Sequence, residues 1–177
     1  EGVGMSGWFM LTVVGEDRPG IVARLTAALY DGGCNLGEAS MLRLGGNFAI
    51  LLMVQWEGGA ARLAALVEPV TRSLGLAQHV DRIEGRLHQH VEPDVGITVS
   101  GSDRAGIVAH AVGAFAEAGL NILTLESGVG GSAERPLYIM HIEGRALEGI
   151  APLRSALEIL RREGIDASLT PIDTLIG

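Results

Sequence analysis

The chain has few of the residues on which several classes of protein depend. It contains a single cysteine, Cys34, so no internal disulfide can form and no second thiol is present for a CxxC or zinc motif. This is typical of a protein of the reducing cytoplasm. Aromatic residues make up only 4% of the sequence, which leaves few rings that could stack on nucleic-acid bases.

Positive charge and long apolar runs are also scarce. The 13 arginines, with no lysine, are outnumbered by 21 aspartates and glutamates. The net charge is −8, and no basic cluster marks a phosphate-binding surface. We therefore expect no direct contact with nucleic acid. The longest apolar stretches, such as 48–54, have the length of a strand and are too short to cross a bilayer. Hydrophobic residues still make up 47% of the chain, enough for packed globular cores.

The two halves of the sequence repeat each other at an offset of 86 residues. Residues 12–23 read TVVGEDRPGIVA, and residues 98–109 read TVSGSDRAGIVA. The match continues at the same offset in 33–36, which reads GCNL, and in 119–122, which reads GLNI. A repeat of this length indicates two copies of one supersecondary unit.

The first copy predicts the element order βαββαβ. Ile21, Leu25 and Leu29 have helical spacing after Pro19, a residue favoured in the first turn of a helix. A Gly-Gly pair at 45–46 between two apolar runs predicts a hairpin. The predicted elements are a strand at 8–14, a helix from 19 to 31 closed by glycines 32 and 33, strands at 35–44 and 47–56, a helix at 62–74 and a strand at 77–83.

The second copy predicts the same order. Its elements are a strand at 95–99, a helix at 105–118, a hairpin from 120 to 142 with a longer turn at 130–136, a helix at 147–163 and a strand at 165–172. The polar, proline-containing segment 86–94 is predicted to be a linker. We expect an α+β fold with two ferredoxin-like units, residues 5–85 and 95–177, each with helices covering one face of a four-stranded antiparallel sheet.

The junction of the first strand and first helix in each copy is the candidate ligand site. Its glycines, Gly15, Gly20, Gly101 and Gly106, allow backbone to approach a ligand, and the first N–H groups of a helix suit a carboxylate. Asp17 and Asp103 could attract an ammonium group, and Asn35 and Asn121 offer both donors and acceptors. The alternative is structural, because an aspartate before a helix is often a cap and a Gly-Asn pair after a helix is often a turn.

The repeated block resembles the ACT domain family, and within it the tandem proteins of the glycine-cleavage-system transcriptional repressor family. The resemblance covers about residues 8 to 175, and the second copy departs from the pattern at Ala105, where proline is usual. It implies a pocket where the strand–helix loop of one domain meets the edge of a neighbouring domain. The implied lining is Gly15, Asp17, Gly20, Ile21, Gly33 and Asn35 at one pocket, and Gly101, Asp103, Gly106, Ile107, Gly119 and Asn121 at the other.

The resemblance also implies what such modules bind. ACT modules take amino acids such as glycine or serine and pair their sheets side by side, within a chain or between chains. We therefore expect the two sheets to pair with each other or the chain to form a homodimer. The family implies a role in transcriptional or metabolic control, exerted through a partner protein because the charge is acidic. Two alternatives stay open: a protein-interaction module without a ligand, and a separate regulatory subunit of an enzyme of amino-acid or one-carbon metabolism, such as a formyltetrahydrofolate deformylase.

No pattern in the sequence indicates catalysis. The chain has no nucleophile-elbow motif, and no pair of carboxylates recurs between the copies. His88 and His90 are best explained as solvated linker residues, since no thiol accompanies them at metal-ligand spacing. Cys34 is predicted to be a small buried apolar residue. We expect no enzyme activity, cofactor or metal.

Overall fold

The computed structural model describes residues 7–84, 89–102 and 106–173, and the chain divides into two compact units, residues 1–88 and 89–177. The boundary lies within the predicted linker 86–94. In the described residues, no helix is both long enough and apolar enough to cross a membrane.

Unit 1 contains six elements in the predicted order. They are β1 (Gly7–Glu16), α1 (Ile21–Asp31), β2 (Asn35–Leu44), β3 (Asn47–Trp56), α2 (Ala60–Leu74) and β4 (Ala77–Ile83). The strands form one antiparallel sheet in the order β2-β3-β1-β4, so β2 and β4 are its edges.

Unit 2 repeats this arrangement. Its elements are β5 (Val95–Ser102), α3 (Ile107–Glu117), β6 (Leu120–Ser132), β7 (Arg135–Ala146), α4 (Ile150–Arg162) and β8 (Asp166–Pro171). The antiparallel sheet has the order β6-β7-β5-β8. The predicted α+β class, with two ferredoxin-like βαββαβ units, is therefore confirmed.

Each unit has its own core between the helices and one face of the sheet. Burial alternates along the central strand β1, where Leu11 and Val13 are fully buried and Met10 and Thr12 are partly exposed. This period of two is that of a strand with one covered face. In unit 2, Phe115 of α3 is fully buried in the equivalent core. The larger set of core residues includes Leu25, Leu29, Leu63 and Val67 in unit 1, and Ile97, Val99, Leu153 and Leu157 in unit 2.

The hairpin of unit 2 differs from its prediction. The longer turn expected at 130–136 is wrong, because β6 and β7 pair as far as Ser132 and Arg135 and leave only two residues for the turn. The Arg135 N–H donates to Ser132 Oγ at 3.1 Å across this turn. Of the glycines here, only Gly131 has a positive φ, at 79°, so the glycine-rich sequence still runs as a strand.

Candidate functional site

The loop from β1 to α1 in unit 1 is held by a glycine and by the neighbouring hairpin. Gly20 has φ 84°, a left-handed conformation that favours glycine, and it is the N-cap of α1. Pro19 therefore precedes the helix, and the prediction that it lies in the first helical turn is wrong. The Asp17 N–H donates to the Gly46 carbonyl at 3.1 Å, which ties the loop to the turn between β2 and β3.

The start of α1 has no side chain capping it. The first backbone hydrogen bond of the helix runs from the Arg24 N–H to the Gly20 carbonyl at 3.0 Å. The backbone N–H groups of Ile21, Val22 and Ala23 precede it, at the positive end of the helix dipole. Backbone donors at such a position suit a carboxylate.

Asp17 does not cap the helix, so the alternative prediction that it is a capping residue is wrong. Its carboxylate lies 3.0 Å from the guanidinium of Arg43 on β2, measured from Oδ2 to Nε. The Asp17 side chain is 28% exposed and that of Arg43 is 67% exposed. A pair of opposite charges therefore stands beside the uncapped helix start, and both members remain accessible to solvent.

A cavity of about 300 Å³ lies at this end of unit 1. It is lined by Asp17, Arg18, Pro19, Gly20, Ile21, Val22, Ala23, Met41, Arg43 and Phe48. Three of the predicted site residues, Asp17, Gly20 and Ile21, are thus brought together. Sequence reasoning missed Arg43, although its place next to the predicted Gly-Gly hairpin could have put it near the loop.

Gly15 is close to the loop but does not line the cavity. The place that its β carbon would take is occupied by the side chain of Leu76, the residue before β4. The Leu76 Cα lies 3.3 Å from the same point. The glycine at this position is required by packing inside the unit.

Gly33 and Asn35 lie at the opposite end of unit 1. Across the sheet, Asn35 of β2 pairs with Gln55 of β3, which pairs with Trp8 near the start of β1. The loop instead follows Glu16 at the end of β1. Eight residue steps along β1 separate Trp8 from Glu16, a distance of about 26 Å at the rise of a β-strand. Asn35 Nδ2 donates to Gln55 Oε1 at 3.4 Å, and the asparagine is exposed. One small ligand cannot contact both Asp17 and Asn35 of the same unit.

The equivalent loop of unit 2 is described only in part. Asp103, with residues 104 and 105, lies outside the described residues. Gly106 has φ 89° and is the N-cap of α3, as Gly20 is for α1. Asn121 lies at the opposite end of its sheet, opposite Arg145, and Gly119 adopts φ 86° in the turn before β6.

One cavity of unit 2 adjoins the described part of its loop. It has a volume of about 200 Å³ and is lined by Gly101, Ser102, Gly106, Ile107, His110, Glu163, Gly164 and Ile165. His110 Nε2 contacts the Glu163 carboxylate, which joins the first turn of α3 to the end of α4. In unit 1, Arg24 Nη2 donates to Ser73 Oγ at 2.8 Å between the corresponding helices.

The described residues contain no cluster of three or more metal-ligating side chains. His88, part of the His-x-His segment considered above, lies outside the described residues. Cys34 is 5% exposed, and burial raises the pKa of its thiol. The prediction that Cys34 is buried is confirmed.

The fold and loop define the class of protein. Residues 8–81 match the sequence model of the ACT domain. The first unit is an ACT domain, and the second unit repeats its βαββαβ fold, so the chain has the tandem organisation inferred from its repeat.

Known proteins are similar to this chain in sequence or in fold. The glycine cleavage system transcriptional repressor of Escherichia coli K12 is 23% identical over 137 residues, which are 77% of this chain and 72% of the relative. A crystal structure of an unknown protein from Galdieria sulphuraria has a TM-score of 0.76 at 24% identity, covering 95% of this chain and 99% of that one. A structure described as a candidate glycine cleavage system transcriptional repressor has a TM-score of 0.66 at 20% identity, covering 96% of this chain and 99% of that one. At these identities, the two structures show the fold alone.

Proposed function

We propose that this chain is a non-catalytic regulatory protein that binds a small amino acid at the β1–α1 loop of unit 1. The observation that carries the proposal is the Asp17–Arg43 pair, which lines one cavity together with the uncapped start of α1. Together these groups offer a negative charge, a positive charge and backbone N–H donors to one small ligand.

An α-amino acid has complementary groups. Its carboxylate can accept from the N–H groups at the helix start and from a guanidinium, while its ammonium group can donate to the Asp17 carboxylate. Apart from Arg18, the remaining wall of the cavity is apolar and includes Ile21, Met41 and Phe48. These neighbours favour an amino acid without a charged side chain, such as glycine or serine.

The regulatory action is proposed from the family and from the relative. The relative is named as a transcriptional repressor of the glycine cleavage system, which makes glycine the first ligand to test. With a net charge of −8, the chain is proposed to act on transcription or metabolism through a partner protein. Ligand binding can control that partner only if one arrangement of the protein binds the amino acid more tightly than another.

The β1–α1 loop and Asn35 lie at opposite ends of unit 1, so they cannot contact the same ligand within that unit. Because Asn35 is about 26 Å from the loop of its own unit by strand rise, it can contact a loop-bound ligand only from a different ACT-type unit. The same separation of sheet ends applies to Asn121 in unit 2. The site proposed in unit 1 is therefore formed by Asp17, Gly20, Ile21 and Arg43, and the asparagines are secondary to it.

Calorimetric titration with the twenty amino acids, glycine and serine first, tests the proposed function. We expect saturable heat for at least one small amino acid with the native chain, and its loss in Asp17→Asn. A matched control is Asp81→Asn on β4, which removes the same charge from an exposed carboxylate far from the loop along the sheet. The absence of heat with all twenty amino acids would contradict the proposal.

A ligand-free interaction module is a second candidate, favoured by the edge strand β2. All ten of its residues are exposed, among them Met41, Leu42 and Leu44 at 48%, 53% and 72%. Exposed apolar edge strands are surfaces that another chain can cover. If partner binding survives both Asp17→Asn and Arg43→Gln and no amino acid alters it, this candidate replaces the sensor.

A further inference from the structure

We infer that Arg43 is the residue that selects the amino acid in unit 1, and that unit 2 lacks this determinant, so one chain binds one amino-acid molecule through its loops. The inference rests on the proposed function and deepens it. It depends on the geometry of the Asp17–Arg43 pair and on the strand register of the two units.

The guanidinium of Arg43 can bind a second carboxylate without losing the first. Its contact with Asp17 uses Nε, at 3.0 Å from Oδ2. A guanidinium has five N–H donors in a plane, so the Nη1 and Nη2 edge remains for the ligand. Asp17 likewise keeps Oδ1 as an acceptor for the ammonium group of the ligand.

With an α-amino acid bound, the charges of Asp17, Arg43 and the ammonium and carboxylate groups of the ligand would alternate in sign. The two charged groups of an α-amino acid are attached to the same carbon, so their separation is short, like that of the Asp17–Arg43 pair. A ligand lying antiparallel to this pair places its carboxylate against Arg43 and its ammonium against Asp17. Amino acids whose charged groups are separated by several methylenes, such as a γ-amino acid, cannot match this spacing in an extended conformation.

Arg43 is the cation best placed for this role. Arg18 also lines the cavity, but its Nη2 lies 3.7 Å from Glu16, which directs it toward the residue at the end of β1. Arg43 is on the face of the sheet that the helices cover, opposite the buried Phe48, which is opposite Gly15. It therefore stands on the same side as the start of α1.

Unit 2 has a valine in this place. There, Gly101 is opposite Tyr138, which is opposite Val129. This register is that of Gly15, Phe48 and Arg43, so Val129 is the counterpart of Arg43. Its 64% exposed side chain can offer no charge to a carboxylate. Unit 2 has one cavity beside His110 and Glu163, on the flank toward α4, and Val129 lines a separate one with Ile139 and His141.

The test is a calorimetric titration of glycine, and then of L-serine, into the full chain and three variants. Arg43→Gln removes the charge, and Arg43→Lys retains it without the planar donors. The control is Arg82→Gln, which removes one charge from an exposed arginine of β4. Arg82 is opposite Phe9, near the other end of β1. Circular dichroism of each variant checks its folding, which an exposed arginine should not determine.

We expect a stoichiometry of one amino acid per chain. Affinity should fall roughly ten- to a hundredfold in Arg43→Gln, as for the loss of a charged hydrogen-bonding partner, with a smaller loss in Arg43→Lys and none in Arg82→Gln. γ-Aminobutyrate should not compete. Two equal sites per chain, or unchanged affinity in a folded Arg43→Gln, overturns the inference and leaves the proposed function intact. A native chain that binds neither amino acid contradicts the proposed function itself.

Discussion

The side chain of Leu76 fills the space beside Gly15 where a β carbon would stand. Leu76 is 8% exposed and belongs to the core of unit 1, so this flank of the β1–α1 loop is closed. In unit 2, the atom nearest to the corresponding point at Gly101 is Ile107 Cδ1, at 2.9 Å, and a cavity opens beside it. The space beside this glycine is therefore closed by a core side chain in unit 1 and adjoins a cavity in unit 2.

This difference predicts unequal effects of adding one methyl group. Gly15→Ala should lower the free energy of unfolding by about 1–3 kcal/mol, because the methyl group overpacks a core against Leu76. Gly101→Ala should lower it by less, since the end of the Ile107 side chain can move into the adjacent cavity. Urea denaturation of both variants measures the difference. Equal losses would show that Leu76 does not constrain Gly15.

The left-handed glycine at the helix start gives a second prediction. Gly20→Ala should cost about 1–2 kcal/mol, because an L-residue at φ 84° is strained even though no atom lies within 4 Å of the added carbon. Gly113→Ala, also in open space but inside α3, should instead stabilise the protein by about 0.5–1 kcal/mol. Chemical denaturation followed by circular dichroism tests the opposite signs, and two changes of the same sign would contradict this explanation.

The buried thiol of Cys34 gives a third prediction. Its exposed fraction is 5%, and burial raises its pKa, so the native chain should react with iodoacetamide far more slowly than the unfolded chain. Above the ordinary pKa of a thiol, the unfolded chain releases its proton first, so this residue should lower the stability of the fold as pH rises. Cys34→Ala should remove that part of the pH dependence. Equal alkylation rates in the native and unfolded chains would contradict the burial.

The exposed edge strand β2 gives a fourth prediction. We expect the chain to sediment as a dimer, because Leu42 and its apolar neighbours on β2 would otherwise remain in water. Leu42→Glu should yield a monomer. Ile159→Glu on α4 is a matched control, since Ile159 is also 53% exposed but lies on a helix. A native chain that sediments as a monomer at micromolar concentration would rule out this dimer.

Much of the fold could be predicted from the sequence because its signals are local. The repeat at an offset of 86 residues, the Gly-Gly hairpin and the helical spacing of Leu25 and Leu29 each depend on neighbouring residues. The bounds of β2, β3 and β4 agree with the structure. The longer turn predicted at 130–136 is wrong because pairing with β7 holds Gly130 and Gly131, residues typical of turns, in an edge strand.

The site was harder to predict because its geometry depends on register. The sequence predicts that Gly15, Gly20 and Gly33 all face the ligand. Gly15 is explained instead by its packing against Leu76 and Gly33 by its positive φ, whereas Gly20 has a positive φ and also lines the cavity. Asn35 follows the loop closely in sequence, yet α1 carries the chain back along the sheet to its opposite end. Arg43 belongs to no local motif, and it stands beside Asp17 because β2 pairs with β3 and the turn that joins them is bonded to the loop.

Two-dimensional ¹H–¹⁵N NMR of the labelled chain during a glycine titration shows directly whether an amino acid binds at the start of α1. If an amino acid lies at the uncapped start of α1, the amide signals of residues 20–23 should move together and saturate, because their N–H groups donate to its carboxylate. Saturable binding that leaves these four signals in place, or a titration that moves no signal at all, would contradict the account.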